Sequence, residues 1–380
     1  MVFGKIELKK ILIIFGTRPE AIKMAPLVKE FQKHPKSFDT QVCVTAQHRE
    51  MLDQVLDFFQ ITPNYDLNLM KPGQNLYTLT ADIITNLKPV LEEFNPDYVF
   101  VHGDTTTTMA GSIASFYSGA KVCHVEAGLR THNKWSPFPE EINRQITGRV
   151  CDFHFAPTNT SKENLLQENI DEQTILVTGN TVIDALLDSV DRVNQDPSIL
   201  IKELSQTLGS KEMILVTGHR RENHGEGFIR ICEALKTIAL ADANRWIVYP
   251  VHLNPKVQEP VKRLLSEMKN VILINPLPYQ DFIWMMNRAK IIITDSGGVQ
   301  EEAPSLGKPV LVMRNTTERP EAVEAGTVIL VGTDKDLITK EALDLLNNTH
   351  RFNEMSKLHN PYGDGKACER IVAFINKQQG

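Results

Sequence analysis

The sequence predicts an α/β protein made of two doubly wound parallel sheets, and three observations carry that expectation. Short apolar runs alternate with helix-period stretches along almost the whole chain. The runs are rich in Val, Ile and Phe without polar alternation, as strands covered on both faces must be. At 380 residues the chain is long for a single hydrophobic core, so two domains of ordinary size are expected. Strand–helix–strand order in both halves then gives two parallel, Rossmann-like sheets.

Taken in order, strands are expected at 11–15, 42–45, 98–101, 122–125, 153–156 and 175–177 in the first half. The second half offers 213–217, 247–250, 271–274, 291–294, 310–313 and 328–331. Helical patterns lie between them, for instance at 19–33, 75–94, 228–241 and 255–269. Continuity is weakest around 179–201, where a helix-like stretch carries Asn194-Gln-Asp-Pro, and there the chain is expected to cross between domains.

The apolar fraction of 42% and charged fraction of 23% are those of a globular protein. A net charge of −6 supplies no basic field for nucleic acid or an anionic membrane, so any phosphate site must be local. No stretch reaches the roughly 18 apolar residues of a membrane span. The start lacks the apolar core of a secretion signal, which points to the cytoplasm. Cys43, Cys123, Cys151, Cys232 and Cys368 are scattered and never spaced as C-x-x-C, the pattern of reduced thiols rather than of zinc or disulfides.

In open parallel sheets ligands sit beyond the carboxyl ends of strands, and most of the polar motifs fall there. Asp295-Ser-Gly-Gly-Val-Gln-Glu-Glu is the most informative. Ser296, Gly297 and Gly298 turn from a strand into a helix whose free N–H groups suit a phosphate. Glu301 and Glu302 cannot both welcome an anion, so one of them is read as holding ribose or sugar hydroxyls. Arg319, after the next strand, is a candidate clamp for phosphate. Phe282, in a helix that follows Leu277-Pro278-Tyr279, either stacks on a base or packs in the core.

Gly16-Thr-Arg-Pro-Glu follows the first strand, with Pro19 suited to a first helical position and Arg18 and Lys23 able to reach a diphosphate. Neither G-x-G-x-x-G nor G-x-x-x-x-G-K-[ST] is present there, so nicotinamide binding and NTP hydrolysis lack their signatures. Asp104, at the next strand end, reads as a helix N-cap or as a catalytic acid. Glu126 reads as a catalytic acid or as the surface partner of Arg130. Glu140 opens a helix, where an acid also suits the dipole. His219 sits in a polar loop after Gly218, and an imidazole there can carry a proton near neutrality. Three carboxylates at neighbouring strand or helix ends of one sheet are hard to explain by capping and ion pairs alone.

Together the motifs GTRPEAIKMAP (16–26), TAQHREMLDQVL (45–56), VHGDTTTT (101–108), HVEAGLRT (124–131), SPFPEEINR (136–144), TGNTVIDAL (178–186), GHRREN (218–223), YPVHLNP (249–255), DSGGVQEEAPSLGKPVLVMRNTTERPEA (295–322) and NPYGDG (360–365) closely resemble those of the bacterial non-hydrolysing UDP-N-acetylglucosamine 2-epimerases. The resemblance is collinear and leaves out only a short stretch at the start. It implies the GT-B fold, with an active-site cleft between its domains and a last helix that returns to the first. The expected domains are 1–180 plus 365–380, and 181–364.

The resemblance also implies an activity: UDP-N-acetylglucosamine and UDP-N-acetylmannosamine are interconverted by loss and re-addition of UDP through a 2-acetamidoglucal. No NAD and no metal is implied. By motif, Asp104, Glu126, Glu140 and His219 form the catalytic set. Arg18, Lys23, Leu277, Phe282, Ser296, Gly297, Gly298, Glu302 and Arg319 match the family's UDP-sugar contacts. Members from several bacteria bind a second UDP-N-acetylglucosamine as activator, and Gln47, His48, Glu50 and His252 match that region. This chain has Glu50 and Gly73 where some of those members carry Gln and Arg. A homodimer and a product destined for surface polysaccharide are implied as well. The rival reading is a glycosyltransferase of the same fold, which would leave the acid cluster superfluous.

Overall fold

Two all-parallel sheets carry the chain, in a computed structural model that describes residues 8–46, 49–71 and 73–378. The first sheet takes β1 (Lys9–Phe15), β2 (Phe38–Val44), β3 (Tyr65–Asp66), β4 (Tyr98–His102), β5 (Lys121–Val125), β6 (Phe153–Ala156) and β7 (Ile175–Val177). Their spatial order is β3-β2-β1-β4-β5-β6-β7. The second sheet takes β8 (Met213–Thr217), β9 (Trp246–Pro250), β10 (Val271–Ile274), β11 (Ile291–Thr294), β12 (Val310–Val312) and β13 (Val328–Leu330), in the order β10-β9-β8-β11-β12-β13. Winding runs outward in both directions from one central pair. The switch points are β1/β4 in the first sheet and β8/β11 in the second, where such folds bind ligands.

The strands form where continuous apolar runs are buried on both faces. Ile11 to Phe15 are at most 1% exposed, and Ile214, Val216, Ile291 and Ile293 are fully buried in the second core. Burying each such side chain is worth about 1.5–3 kcal/mol. All twelve expected strands are present; β3 was not expected. It has two residues and pairs only with Cys43 and Val44, too short a run for a periodic signal. The expected helices match Arg18–Gln32, Leu76–Phe94, Glu226–Ala241 and Pro255–Leu265, with starts set by caps such as Thr17, Asn75 and Asn254 and the last ending four residues early.

One compact unit runs to Ala185 and resumes at Tyr362; the other is Leu186–Pro361. The crossing therefore lies inside the helix Thr181–Gln195 rather than at its start. The returning chain is locked to the first unit. Asn180 N donates to Tyr362 O at 2.7 Å, Asp184 accepts from the amides of Ala367 and Cys368, and Phe374 packs edge-on against Phe153 and Phe155. Gly179 has φ +89°, and a Cβ on it would stand 3.2 Å from Gly363 Cα, so any other residue would be strained there.

Candidate active site

The switch point of the first sheet is tied by one buried carboxylate. Thr17 and Glu20 form a capping box at the start of the helix Arg18–Gln32, with Pro19 in its first turn. Glu20 Oε2 accepts from the amides of Gly16 (3.1 Å) and Thr17 (2.8 Å). Its Oε1 accepts from the hydroxyls of Thr105 (2.7 Å) and Thr108 (3.2 Å), across the gap to the loop after β4. Burial pushes the Glu20 carboxyl up, against those bonds. Gly16 fits because a Cβ there would stand 2.0 Å from Thr45 Oγ1. Arg18 enters no hydrogen bond or ion pair found among the described residues. A cation at a helix N-terminus opposes the dipole, so Arg18 is placed to welcome an anion.

Asp104 is not the expected N-cap. Thr105 caps the helix Thr106–Ser118, its hydroxyl accepting from Thr108 N at 3.1 Å. The Asp104 carboxylate is released from that duty and meets Arg144 Nη2 at 2.6 Å, while Asn143 donates to the Asp104 main-chain oxygen at 2.9 Å. Burial pushes the Asp104 carboxyl up, Arg144 pulls it back, Glu126 adds to the rise, and the net direction is upward.

Glu126 ends β5 with φ 62°, a left-handed conformation that a non-glycine residue holds only when its surroundings enforce it. Its Oε2 accepts from Lys23 Nζ and from Asn180 Nδ2 at 2.9 Å, and His102 Nε2 lies 3.8 Å away. Burial alone would raise its pKa, but the charges of Lys23 and His102 and the bonds from Lys23 and Asn180 bring it below the usual carboxylate range. Arg130 is not its partner. That guanidinium grips Glu168 with two bonds of 2.6 and 2.8 Å. Burial also holds His102 down to about 4 and His124 to about 3. His124 Nε2 donates to Gly103 O at 2.7 Å and so supports the loop that carries Asp104.

The two acids opening the helix Glu140–Val150 divide their labour. Glu141 is fully buried and accepts from the amides of Thr131 and His132 and from Arg144 Nη1 at 3.0, 3.1 and 3.1 Å. Burial would raise it, but those bonds carry it downward. Glu140 is half-buried in the first turn and makes none of the hydrogen bonds or ion pairs found among the described residues.

In the second unit the loops after β8 and β11 meet. Asp295, fully buried, accepts from the amides of His219 and Arg220, both at 2.8 Å. The His219 side chain is 49% exposed and lies flat on His252, with ring centroids 5.3 Å apart. Ser296 precedes the helix Gly297–Glu302, whose first turn has no side-chain cap. The first-turn N–H groups, those of Gly297 and Gly298 among them, thus lack a side-chain cap, as an anion site at a helix start requires. Arg319 lies over Gly297, its Cζ 3.0 Å from where a Cβ would stand, and Glu301 Oε1 steadies its Nε at 2.8 Å. Glu301 thus pairs with Arg319, and Glu302 stands half-buried beside Gly298. Leu277 and Phe282 are half-buried, Phe282 in the helix Tyr279–Arg288.

Gln47 and His48, expected at an activator site, lie outside the described residues, as does the Glu50 side chain. Sequence reasoning missed Glu20, Asn180, Arg144 and the carboxylate of Asp295 as organisers. Each stands inside a motif at a strand or helix end, which was the available signal. Among the described residues no cluster of three His, Cys, Asp or Glu could hold a metal ion, and no helix is long and apolar enough to cross a membrane.

Comparison with known proteins points one way. The family model described as UDP-N-acetylglucosamine 2-epimerase matches residues 29–376. The UDP-N-acetylglucosamine 2-epimerase of Escherichia coli K12 is 60% identical over 374 residues, covering 97% of this chain and 99% of that protein. Its counterpart in Salmonella typhimurium LT2 is 58% identical over 369 residues, covering 96% and 98%. The crystal structure of the Neisseria meningitidis UDP-GlcNAc 2-epimerase bound to UDP-GlcNAc matches with a TM-score of 0.83 at 51% identity, over 97% of this chain and 100% of that one.

Proposed function

The chain belongs to the UDP-N-acetylglucosamine 2-epimerase family of isomerases, and from that premise we propose that it inverts carbon 2 of UDP-N-acetylglucosamine, giving UDP-N-acetylmannosamine, by eliminating UDP and adding it back. A proton on carbon 2 is weakly acidic, so its removal must accompany or follow departure of the diphosphate. The intermediate is then 2-acetamidoglucal, with its double bond between carbons 1 and 2. The observation that carries this reading is the pair at the ends of β4 and β5. Asp104 is pushed up and Glu126 pulled down, so the two carboxyls at neighbouring strand ends are shifted in opposite directions. Such divergence suits one group to carrying a proton and the other to staying anionic.

Glu126 would stabilise positive character at the ring as UDP leaves. Asp104 and His219 would carry protons, one for each face of the sugar. Glu140, with no hydrogen-bond or ion-pair partner found among the described residues, would be available to the sugar. Arg18, Lys23 and Arg319, with the amides of Gly297 and Gly298, would hold the diphosphate, Glu302 the ribose hydroxyls, and Leu277 and Phe282 the base.

Elimination and addition leave the oxidation state unchanged, so the reading needs no NAD, and its charge stabilisation is assigned to side chains rather than to a metal. Turnover should persist in EDTA without added nucleotide cofactor. The same reading takes the enzyme as a cytoplasmic homodimer whose product feeds surface polysaccharide. Phe116 and Tyr117, 61% and 75% exposed side by side on one helix, give a second copy apolar surface to cover, and light scattering checks the mass. Activation by substrate through Gln47, His48, Glu50 and His252 would make the rate curve against UDP-N-acetylglucosamine sigmoidal. The decisive assay is incubation with UDP-N-acetylglucosamine alone. The manno epimer should accumulate, whereas an unchanged sugar or free N-acetylmannosamine with UDP would refute the proposal.

A further inference from the structure

Asp295 stands where β11 ends, with none of its surface exposed. Its Oδ2 takes three donors: His219 N and Arg220 N at 2.8 Å each, and Asn223 Nδ2 at 3.4 Å. Its main-chain oxygen accepts from Arg220 Nε at 3.0 Å. Those bonds account for the loop's anchorage. They leave Oδ1, which is shielded from water and has no hydrogen-bond partner among the described residues. A buried carboxylate oxygen without a donor calls for explanation. The group it faces is the His219 ring, with Nδ1 at 3.6 Å. That separation is too long for a hydrogen bond, and a small turn of the half-exposed imidazole closes it. On the ring's other side lies His252, whose Nδ1 already accepts from Asn254 N at 3.1 Å and so offers His219 nothing to pair with there.

We propose that Asp295 is a positioning residue for His219: it accepts the Nδ1–H and thereby presents Nε2, bare, as the atom that takes and returns the substrate proton. A neutral imidazole has one donor and one acceptor nitrogen, and an ionised carboxylate can only accept, so the pairing selects the tautomer. The same contact fixes the direction of the ring. When Nε2 gains a proton, the resulting imidazolium keeps its Nδ1–H against the carboxylate, which stabilises it; Asp295 itself neither gives nor receives a proton. The inference rests on the reading of His219 as a proton carrier.

Nitrogen-15 NMR of histidine-labelled enzyme tests it directly, with the His219 signals assigned through His219→Asn. In the wild type, Nδ1 of neutral His219 should be protonated and Nε2 bare, a result that needs no variant to fold. In Asp295→Asn one oxygen can keep the amides of His219 and Arg220 while the new NH₂ faces the ring. The tautomer should then invert. Its kcat should fall at least about a hundredfold, with KM moving less than about threefold. A wild-type His219 protonated on Nε2 would overturn the proposal, as would an Asp295→Asn enzyme with unchanged tautomer and kcat. If the tautomer inverts but the wild type does not epimerise, the positioning stands and the proposed function falls.

Discussion

The two switch points use one device to different ends. In the first unit Glu20 joins the loops after β1 and β4, and both of its oxygens are consumed by two amides and two threonine hydroxyls. In the second unit Asp295 joins the loops after β8 and β11, and one oxygen stays open toward His219. A carboxylate whose acceptors are all taken is a rivet. One with an acceptor to spare beside a titratable ring is also a control on that ring. The surroundings differ in the same way. Glu126 is buried and already paired with Lys23, whereas His219 is half exposed, stacked on His252 with Asp295 Oδ1 3.6 Å from its Nδ1. At these two groups the first unit pairs its acid within the fold, while the second leaves an imidazole half exposed.

Replacing the buried anion should have the largest consequence. Glu126→Gln should lower kcat by about a thousandfold, the scale of losing one preorganised electrostatic group. A loss under tenfold would remove Glu126 from the chemistry. Acid should next expose the first unit. His102 and His124 are held neutral at about 4 and about 3, against about 6.5 in the unfolded chain. Unfolded imidazoles bind protons the folded ones refuse, so stability present above about pH 6.5 is lost as pH falls toward 4, at about 1.4 kcal/mol per pH unit for each histidine. Glu20 and Asp104, whose carboxyls are raised, act in the opposite sense. Denaturant titrations at pH 7 and 5 should show the loss, and His124→Gln should flatten it; equal slopes would contradict the assignment.

Two arginines run against that contrast, since the paired one, Arg319, belongs to the second unit and Arg18 to the first. Arg319→Ala should weaken UDP binding and also cost about 3 kcal/mol of stability, because Glu301 would stay buried without its cation. Arg18→Ala should weaken UDP binding tenfold or more with no change in Tm, since no pairing of Arg18 is found among the described residues. Calorimetry of both variants checks the split, and a destabilised Arg18→Ala would break it. Glu20→Gln, the smallest effect, should cost about 1–3 kcal/mol by turning an amide donor toward amides and hydroxyls that need an acceptor. Retained stability would show that the rivet is dispensable.

Most of the fold was legible because parallel strands announce themselves as unbroken apolar runs, and the twelve found in the sequence are all in the sheets. β3 escaped because two residues at a sheet edge carry no period. For Asp104 the sequence leaves a cap and a catalytic acid both open, because Asp104 and Thr105 compete for one position; the threonine hydroxyl takes it, which leaves the carboxylate to Arg144. Glu126 and Arg130 are four apart, yet Arg130 reaches Glu168, and Glu126 finds Lys23, 103 residues earlier. Long-range partners of that kind depend on strand order, which local spacing does not encode. The same holds for Asn180 and for the pairing of Asp295 with the loop after β8.

Deuterium oxide gives the most direct test of the central claim, that carbon 2 is inverted by removal and return of its own proton. Proton NMR of UDP-N-acetylglucosamine with enzyme in D₂O should show the manno epimer growing in while the carbon-2 signal disappears from the recovered sugar. Epimer formed with carbon 2 still fully protonated, or neither epimer nor exchange, would contradict the account.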